Sequence, residues 1–313
     1  MISHWQFVKL SAMTSQKHIF GLGQCSLDYI GIIGEFPQPD SKCEFTGLTV
    51  QGGGPVATAL VALSRWGMKC SFCGVTGDDS IGKEIRDSLS RENVNTDRIA
   101  VRPQRSSQIA FIAAEPENSR RTIFWQRPTG HPLTSREVDT DLIGASAMVH
   151  TDGLFIEAAI HAAAAAKRMG IPVSVDAGTL RDGMLELARV SDYFIASESF
   201  GRQLIGADDP ESACRAIAQL GPRVAGITLG ERGYAAYEGG RMIRKPAYKV
   251  KAVDTTGCGD VFHGGFIFGV LSGLDTETSL DIGAWAASRV STMPGGRTGI
   301  PPVLELKTRF GIK

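Results

Sequence analysis

The sequence predicts an α/β protein in which helices cover both faces of a doubly wound, mostly parallel β-sheet. Along most of the chain, short apolar runs alternate with amphipathic or alanine-rich stretches of helical length, which is the pattern of parallel strands joined by crossover helices. The chain has 313 residues, of which 42% are hydrophobic, and this is enough for a substantial core.

The elements follow from these runs in chain order. Apolar runs predict strands near residues 18–25, 69–75, 147–150, 172–176, 193–196 and 224–228. Amphipathic or alanine-rich stretches predict helices near residues 55–66, 81–91, 157–169, 210–220, 257–271 and 276–292. Residues 30–50 and 107–125 break the alternation, because both are extended, alternating segments without a crossover helix.

Charge and hydropathy argue against nucleic-acid and membrane partners. Lys plus Arg and Asp plus Glu both total 33, so bulk charge gives no support for nucleic-acid binding. We find no apolar run long enough to predict a membrane span. Residues 1–17 lack the apolar core of a signal peptide and are interpreted as a disordered tail or a leader, which leaves residues 18–313 as a single domain.

The cysteines are scattered along a large chain, a pattern that predicts reduced thiols and a cytoplasmic location. Cys70 and Cys73 have C-x-x-C spacing but fall in a predicted buried strand, where core packing explains them better than zinc binding. Cys258 stands at the start of a predicted helix, where the pKa of a thiol tends to fall, so we expect it to react with thiol reagents.

The stretch Asp-Thr-Thr-Gly-Cys-Gly-Asp, from Asp254 to Asp260, carries the strongest functional signal. It places a carboxylate directly after a run of backbone amides that opens a predicted helix. The first turn of a helix has unpaired N–H groups and a partial positive charge, which suit a transferring phosphoryl group. Three glycines inside that helix each cost about 1 kcal/mol relative to alanine, so close approach of a backbone or a ligand must compensate. An ordinary turn with an acidic first-turn residue is the alternative interpretation.

Together with its surroundings, this string resembles the C-terminal signature of the PfkB, or ribokinase-like, carbohydrate kinases. The family's second signature, a glycine pair before a helix, is similar to Gly52-Gly53-Gly54-Pro55, and further similar segments lie at 21–28, 74–82, 228–233 and 294–301. The resemblance implies a three-layer αβα fold with a small β-sheet lid, to which we assign the extended segments 30–50 and 107–125. Its motifs are most similar to the branch that contains sulfofructose kinase.

The resemblance implies a role for each part of the string. Asp260 is expected to be the general base that deprotonates the acceptor hydroxyl. The backbone amides of Gly257, Cys258 and Gly259 are expected to hold the γ-phosphoryl oxygens of ATP as negative charge builds on them.

Two cations are expected from the same resemblance. Asp254 and the carbonyl of Thr256 would bind a monovalent cation such as K⁺. Mg²⁺ would arrive with ATP, keeping several waters and few protein ligands. Many relatives order Mg²⁺ and phosphate through an Asn-x-x-Glu motif; this chain has Ser-Glu-Ser-Phe at 197–200, so Glu198 is the candidate substitute.

The nucleotide is expected to bind after the apolar strand at 224–228. Thr228, Gly230 and Gly233 belong to the loop that follows, at the carboxyl edge where open α/β sheets bind ligands. Arg297, in a glycine-rich turn, is a further candidate for contacting phosphates. A plain β-turn is the alternative for each of these segments.

The acceptor is expected to bind on the opposite side. Asp28 matches the family aspartate that hydrogen-bonds sugar hydroxyls, and Gly52 and Gly53 would let the backbone approach the sugar. The family's asparagine in this segment corresponds to Ala57, so we expect an acceptor that differs from ribose or plain fructose. Lys42 is a candidate because it aligns with a lysine of the sulfofructose kinase branch.

An anionic acceptor is a hypothesis at this stage, because basic residues fall in or near the lid segments: Lys42, Arg105, Arg120, Arg121 and Arg127. Arg120 and Arg121 are interpreted as solvated charges. Sulfofructose is not predicted, since Trp125 and Leu154 occupy the places of other sulfonate-contacting residues. His263 is a candidate for lining the acceptor pocket, and packing between helices is the alternative.

The predicted function is ATP-dependent phosphorylation of a primary hydroxyl of a small sugar or sugar derivative. A nucleoside kinase of the same fold and a catalytically silent sugar or nucleotide sensor stay open as alternatives. A dehydrogenase, suggested by the glycines at 21 and 23, is excluded because no third glycine follows at the required spacing. The identity of the acceptor is not predicted, and a homodimer through the lid is left open.

Overall fold

The computed structural model describes residues 17–118 and 120–312. Its strands are β1 (His18–Leu22), β2 (Ser26–Ile32), β3 (Gly47–Gly53), β4 (Lys69–Gly77), β5 (Val94–Arg102), β6 (Ile109–Glu115), β7 (Arg120–Gln126), β8 (Met148–Thr151), β9 (Val173–Ala177), β10 (Tyr193–Ser197), β11 (Val224–Thr228), β12 (Tyr234–Glu238) and β13 (Arg241–Lys245). Its helices are α1 (Pro55–Arg65), α2 (Ser80–Arg91), α3 (Thr140–Gly144), α4 (Ile156–Arg168), α5 (Met184–Arg189), α6 (Glu198–Ile205), α7 (Pro210–Ala218), α8 (Cys258–Leu271), α9 (Thr276–Val290) and α10 (Val303–Phe310).

A large sheet forms the centre of the molecule, and among the described residues it contains nine strands in the order β13-β12-β11-β10-β9-β8-β1-β4-β5. The strands from β11 to β5 run parallel, and β12 and β13 extend the sheet as an antiparallel hairpin. Alternate residues of each parallel strand face opposite sides, so both faces are apolar and both are covered by helices. The predicted doubly wound, mostly parallel α/β fold is confirmed.

Two hydrophobic cores lie on the two faces of this sheet. Helices α1, α2, α8, α9 and α10 pack on one face, through side chains such as Leu60, Phe266 and Ile282. Helices α3 to α7 pack on the other face, through side chains such as Ala162 and Ile217. This arrangement brings the amino end of α8 to the carboxyl edge of the sheet, where open α/β sheets bind ligands.

A smaller sheet, which we call the lid, consists of four strands in the order β3-β2-β6-β7. The strands β2 and β6 are parallel, whereas β3 and β7 pair antiparallel to their neighbours. The predicted lid segments supply most of its residues. The predicted strand at 18–25 ends earlier, at Leu22, because the chain leaves the large sheet there and enters the lid at Ser26.

None of the described helices is long and apolar enough to span a membrane. Some strands of the large sheet were not predicted from the sequence. In β5 exposed and half-buried residues are interspersed with buried ones, so its sequence has no apolar run. The hairpin of β12 and β13 pairs along the edge of the sheet and has polar residues on its outer strand. Of the predicted tail, residues 1–16 lie outside the described residues, and the carbonyl of Lys17 already accepts a hydrogen bond from the amide of Lys69.

The glycines inside α8 are explained by helix packing. A Cβ at Gly265 would lie 2.7 Å from the Cα of Gly283, and a Cβ at Gly269 would lie 2.7 Å from the Cα of Ser279, both in α9. A neighbouring backbone, rather than a ligand, therefore compensates for the low helix propensity of these residues.

Candidate functional site

The amino end of α8 forms the centre of the candidate site. Gly257 precedes the helix in the left-handed conformation, with φ of 72°, and turns the chain so that the first helical amides face outward. A Cβ at Gly257 would lie 2.3 Å from the Cα of Gly296, so the loop at 294–297 packs directly against this turn. Gly259 is exposed, and no described heavy atom lies within 4 Å of the position of its missing Cβ. The sequence therefore folds into an accessible cluster of backbone donors.

Asp254 fixes the loop that precedes this cluster. Its Oδ1 accepts hydrogen bonds from the amide and the hydroxyl of Thr256, at 2.8 and 2.7 Å, and its Oδ2 accepts one from the amide of Gly295, at 2.8 Å. The carboxylate is buried, and it ties the loop before α8 to the loop at 294–297. A carboxylate oxygen can accept more than one hydrogen bond, so Asp254 keeps capacity to bind a cation as well.

Asp260 lies in the first turn of α8 and is half-buried. Burial raises the pKa of its carboxyl well above the ordinary value, and the charges of Asp176 and Asp28 raise it further, against the opposing charges of Arg121 and Arg297. A carboxyl group with a raised pKa is a stronger proton acceptor once it is ionised, which suits a general base.

Asp28 lies close enough to Asp260 for its charge to act on that carboxyl group, and we call the region between the lid and the amino end of α8 the cleft. It is buried, and its Oδ1 accepts a hydrogen bond from the hydroxyl of Ser26 at 2.6 Å. Gly53 lies directly against it, since a Cβ there would be 2.0 Å from Asp28 Oδ2. Burial raises the pKa of the Asp28 carboxyl. The fold therefore brings Asp28, Gly53 and Asp260 close together, although they are far apart in sequence.

Arg297 lies on the acceptor side of this cleft. Its side chain is buried, its Nη1 donates to the hydroxyl of Ser88 at 3.0 Å, and a Cβ at Gly52 would lie 2.4 Å from that Nη1. Burial lowers the pKa of the guanidinium to about 10, although the charge of Asp28 opposes this shift. The structure thus places Arg297 beside Gly52 and near Asp28, and its predicted contact with nucleotide phosphates stays a prediction.

The lid covers one side of the cleft. Asp28 pairs with Ala110, and Ala110 pairs with Trp125, so Asp28 and Trp125 share the inner face of the lid. On the same strand, Arg121 Nη1 donates a hydrogen bond to the hydroxyl of Thr255, next to the amide cluster. Arg121 is exposed, in line with its interpretation as a solvated charge, and its side chain also contacts the loop that opens α8. Lys42 lies exposed in the loop between β2 and β3, with no described contact to the other site residues.

The loop after β11 contains the residues that are predicted to bind the nucleotide. Thr228 ends the strand, and its hydroxyl donates to the carbonyl of Ala196 at 3.3 Å. Gly230 and Gly233 both have positive φ, 58° and 91°, which favours glycine at these positions. Glu198, at the start of α6, forms ion pairs with Arg202 and, at 2.8 Å, with Arg232 of this loop. The carboxylate of Glu198 is therefore already neutralised by protein.

Two acidic residues at the carboxyl ends of neighbouring strands were not predicted from the sequence. Asp152, after β8, is buried, and its carboxylate accepts hydrogen bonds from the amides of Gln24 and Leu154 at 2.8 and 2.9 Å. Burial raises its pKa to about 7. The Oδ1 of Asp176, near the end of β9, lies 3.2 Å from Nε2 of His263. Burial pushes the pKa of Asp176 up, but the neighbouring His263 holds it below the ordinary value. Their position at the carboxyl ends of parallel strands, where open α/β sheets bind ligands, could have identified them as candidate site residues.

The expected fall in the pKa of Cys258 is wrong. Burial raises the pKa of its thiol to about 12, and nearby carboxylates add to this, so desolvation outweighs the charge of Arg121 and the helix N-terminus. Cys70 and Cys73 are buried free thiols in β4, in line with a packing role. No cluster of three or more His, Cys, Asp and Glu side chains that could hold a metal ion occurs in the described part of the chain.

The fold and this helix-terminus site define a phosphotransferase of the ribokinase-like class. The chain belongs to the PfkB family: the family described as pfkB family carbohydrate kinase matches residues 16–302. The chain is 25% identical over 293 residues to a ribokinase of Haemophilus influenzae, covering 91% of this chain and 96% of that protein. It is 28% identical over 270 residues to a 2-dehydro-3-deoxygluconokinase of Thermoproteus tenax, covering 80% and 83%.

Solved structures agree with this fold. A ribokinase from Thermotoga maritima superposes with a TM-score of 0.81 at 21% identity, covering 95% of this chain and 100% of the other. An Arabidopsis thaliana ribokinase complexed with ribose and ATP superposes with a TM-score of 0.80 at 20% identity, covering 96% and 100%. These neighbours carry the same large mostly parallel sheet with a small second sheet.

Proposed function

We propose that this protein transfers the γ-phosphoryl group of ATP to a primary hydroxyl of a small sugar or sugar derivative. The observation that carries this proposal is the proximity of Asp28 to Asp260, together with the accessible backbone amides in the turn that contains Asp260. Phosphoryl transfer requires an aligned acceptor, a base for its proton and positive charge around the moving group, and each has a candidate here.

In the proposed reaction, Asp28 accepts hydrogen bonds from acceptor hydroxyls and fixes their orientation. The reacting hydroxyl gives its proton to Asp260, and its oxygen forms a bond to the γ-phosphorus. The bond from that phosphorus to the bridging oxygen breaks, and ADP leaves with the electron pair. The amides of Gly257, Cys258 and Gly259 donate to the phosphoryl oxygens as their negative charge develops.

The nucleotide and cation assignments are part of the same proposal. Thr228, Gly230 and Gly233 would line the nucleotide, and Mg²⁺ bound to the phosphates of ATP would neutralise their charge. Glu198 would take part through its position beside this loop, although its pairing with Arg232 limits direct metal binding. Asp254 and the Thr256 carbonyl would hold a monovalent cation, which fits the spare accepting capacity of the buried Asp254 carboxylate.

The proposal is tested by measuring ATP consumption against sugars, sugar acids, sugar phosphates and nucleosides. Turnover of a sugar or sugar derivative supports it, and the product should carry phosphate on a primary hydroxyl. Preferred turnover of nucleosides would assign the chain to the nucleoside kinases instead. Tight binding of one compound without any turnover would favour a silent sensor.

We further propose that the acceptor carries an anionic group. The guanidinium of Arg127 lies over the ring of Trp125, with its carbon 4.7 Å from the ring centroid, on the inner side of the lid. Arg181 follows β9; burial chiefly lowers the pKa of its guanidinium, the charge of Asp152 opposes this shift, and the charge of Arg127 makes a smaller addition to it. Both arginines are exposed, so their N–H groups are accessible to a ligand. An acidic group on the acceptor would form charge-assisted hydrogen bonds with them.

We expect the paired substitutions Arg127→Gln and Arg181→Gln to raise the KM for acidic acceptors about 10-fold or more, because charge-assisted hydrogen bonds are lost. The KM for a neutral sugar of the same length should not change. Arg120→Gln, on the outer side of the lid, is the matched control. Equal kcat/KM of the wild type for an acid and its neutral counterpart would refute the anionic acceptor and leave the kinase assignment intact.

A homodimer through the lid is also proposed. The outer face of the lid and its adjoining loop expose large apolar side chains, between 40% and 59% of each being accessible: Phe36, Phe45, Leu48, Val50, Phe111 and Phe124. Exposed apolar patches of this kind mark interaction sites, and a second copy offers a self-complementary surface. The cytoplasmic location expected from the cysteine pattern is retained in the proposal.

We expect Phe111→Asp to convert a dimer into a monomer, because a charge in an apolar interface lacks a partner. Light scattering after size-exclusion chromatography would measure the mass of each form. Ile123→Asp, on the inner face of the same sheet, is the control and should leave the mass unchanged. A wild-type protein that is monomeric at tens of micromolar would rule this dimer out.

A further inference from the structure

One positively charged side chain of the lid, that of Arg121, lies next to the amide cluster of the candidate site. Arg121, on β7, donates a hydrogen bond to Thr255, from which it is separated by 134 residues of sequence. Thr255 stands two residues before Gly257, so this contact joins the lid to the loop that opens α8.

The pairing of the lid strands explains why Arg121 reaches this position. Arg121 pairs with Ala114, which is fully buried beneath the lid, whereas Arg120 pairs with Glu115. Successive side chains of a strand point to opposite faces, so Arg121 faces the cleft and its neighbour Arg120 faces away. The same rule places Trp125 on the cleft side together with Arg121.

The charge of Arg121 is not neutralised by a protein carboxylate. None of the described acidic residues forms an ion pair with Arg121, and its guanidinium donates its hydrogen bond to the neutral hydroxyl of Thr255. Its charge nevertheless acts on the site, because it opposes the burial that raises the pKa of Cys258 and of Asp260. A guanidinium has five N–H donors, so four remain for another acceptor.

We propose that Arg121 carries positive charge from the lid to the transferring phosphoryl group, stabilising the transition state only while the lid is closed. This inference rests on the proposed kinase function and adds a catalytic residue to it. Guanidinium groups bind phosphate oxygens with short, charge-assisted hydrogen bonds, and such a group gains most when the charge on those oxygens is greatest. Because the charge arrives with the lid, hydrolysis of ATP by water is slowed when no acceptor holds the lid closed.

The experiment compares Arg121→Gln, Arg121→Lys and the matched control Arg120→Gln in the full-length protein, with the acceptor identified by the ATP-consumption screen. We expect Arg121→Gln to lower kcat about 10²-fold, as for loss of one preorganised donor, while the dissociation constants of ATP and acceptor change little. Arg121→Lys should restore part of kcat, and Arg120→Gln should match the wild type. ADP with aluminium fluoride, a mimic of the transferring group, should bind Arg121→Gln about 10²-fold more weakly than the wild type.

Several outcomes would overturn the inference. The first is a kcat of Arg121→Gln within about threefold of the wild type, which is well short of the loss expected for a transition-state contact. The second is weaker ATP binding at an unchanged kcat, which would make Arg121 a ground-state contact. The third is an equal loss in Arg120→Gln, which would indicate a general effect of lid charge. A wild type that consumes no ATP with any acceptor would instead refute the proposed function itself.

Discussion

Asp260→Asn is expected to lower kcat about 10⁴-fold, at the upper end of what a general base contributes. The substitution keeps the size of the side chain and removes its basicity, so the acceptor hydroxyl would have no group to take its proton. Kinetics with the wild type's best acceptor measure the effect. Equilibrium binding of ATP and of the acceptor should stay close to wild type, because Asp260 acts on the proton in transfer.

Asp141→Asn is the matched control, since Asp141 is an exposed aspartate in the first turn of α3, at the amino end of the large sheet and away from the cleft. Its kcat should equal that of the wild type. If Asp260→Asn keeps more than about a tenth of kcat, the base is another group, because general bases contribute at least about 10²-fold.

The same assignment predicts the acid limb of the pH profile. Burial chiefly, then the charges of Asp176 and Asp28, raise the pKa of Asp260, and only the ionised form can accept a proton. Activity is therefore present above this raised pKa and is lost as pH falls through it. We expect the acid limb of kcat/KM to lie clearly above the ordinary aspartate pKa of about 3.9.

Gly257→Ala is expected to lower kcat about 10³-fold and to lower the melting temperature. A left-handed backbone costs an L-residue about 1–2 kcal/mol, and the new Cβ would lie 2.3 Å from the Cα of Gly296, where backbone cannot yield easily. The two loops must separate, which displaces the amide cluster and the first turn that carries Asp260. Misplacement by about 1 Å can cost 10²-fold, and loss of an anion-binding donor about as much.

Gly239→Ala separates the cost of a left-handed backbone at alanine from the effect of the clash with Gly296. Gly239 also has a positive φ, 56°, but no described heavy atom lies within 4 Å of the position of its Cβ, and it stands in the β12–β13 hairpin. It should therefore lower the melting temperature slightly and leave kcat unchanged. Circular dichroism confirms that each variant is folded before kinetics are compared. A Gly257→Ala variant with nearly normal kcat would show that the amide cluster does not depend on this turn.

The parts of the site that lie close together in sequence were predictable. The helix start after Gly257, the amides that precede Asp260 and the glycine turn after β11 depend on backbone conformations within a few residues, which sequence patterns report directly. The large sheet was predictable for a similar reason, because its parallel strands are continuous apolar runs. The strand β5, with its mixed burial, lacked that signal and was missed.

Residues that act through distant neighbours were not predictable. The thiol of Cys258 follows its burial rather than its place at a helix start, and Arg121 follows the register of β7 rather than its neighbours in sequence. The guanidinium of Arg297 lies beside Gly52 and Ser88, although its turn suggested the nucleotide side.

Local patterns in the sequence were enough to predict the α/β class, the helix start near Gly257 and Asp260 as the acid in its first turn. The charged groups that act on Asp260 were visible only after folding: Asp28 from the lid, Asp176 from β9 and Arg121 from β7. This is because local patterns fix backbone torsions and the faces of single elements, whereas electrostatic partners depend on how separate elements pair and pack. One residue of difference in the register of β7 would have turned Arg121 away from the cleft.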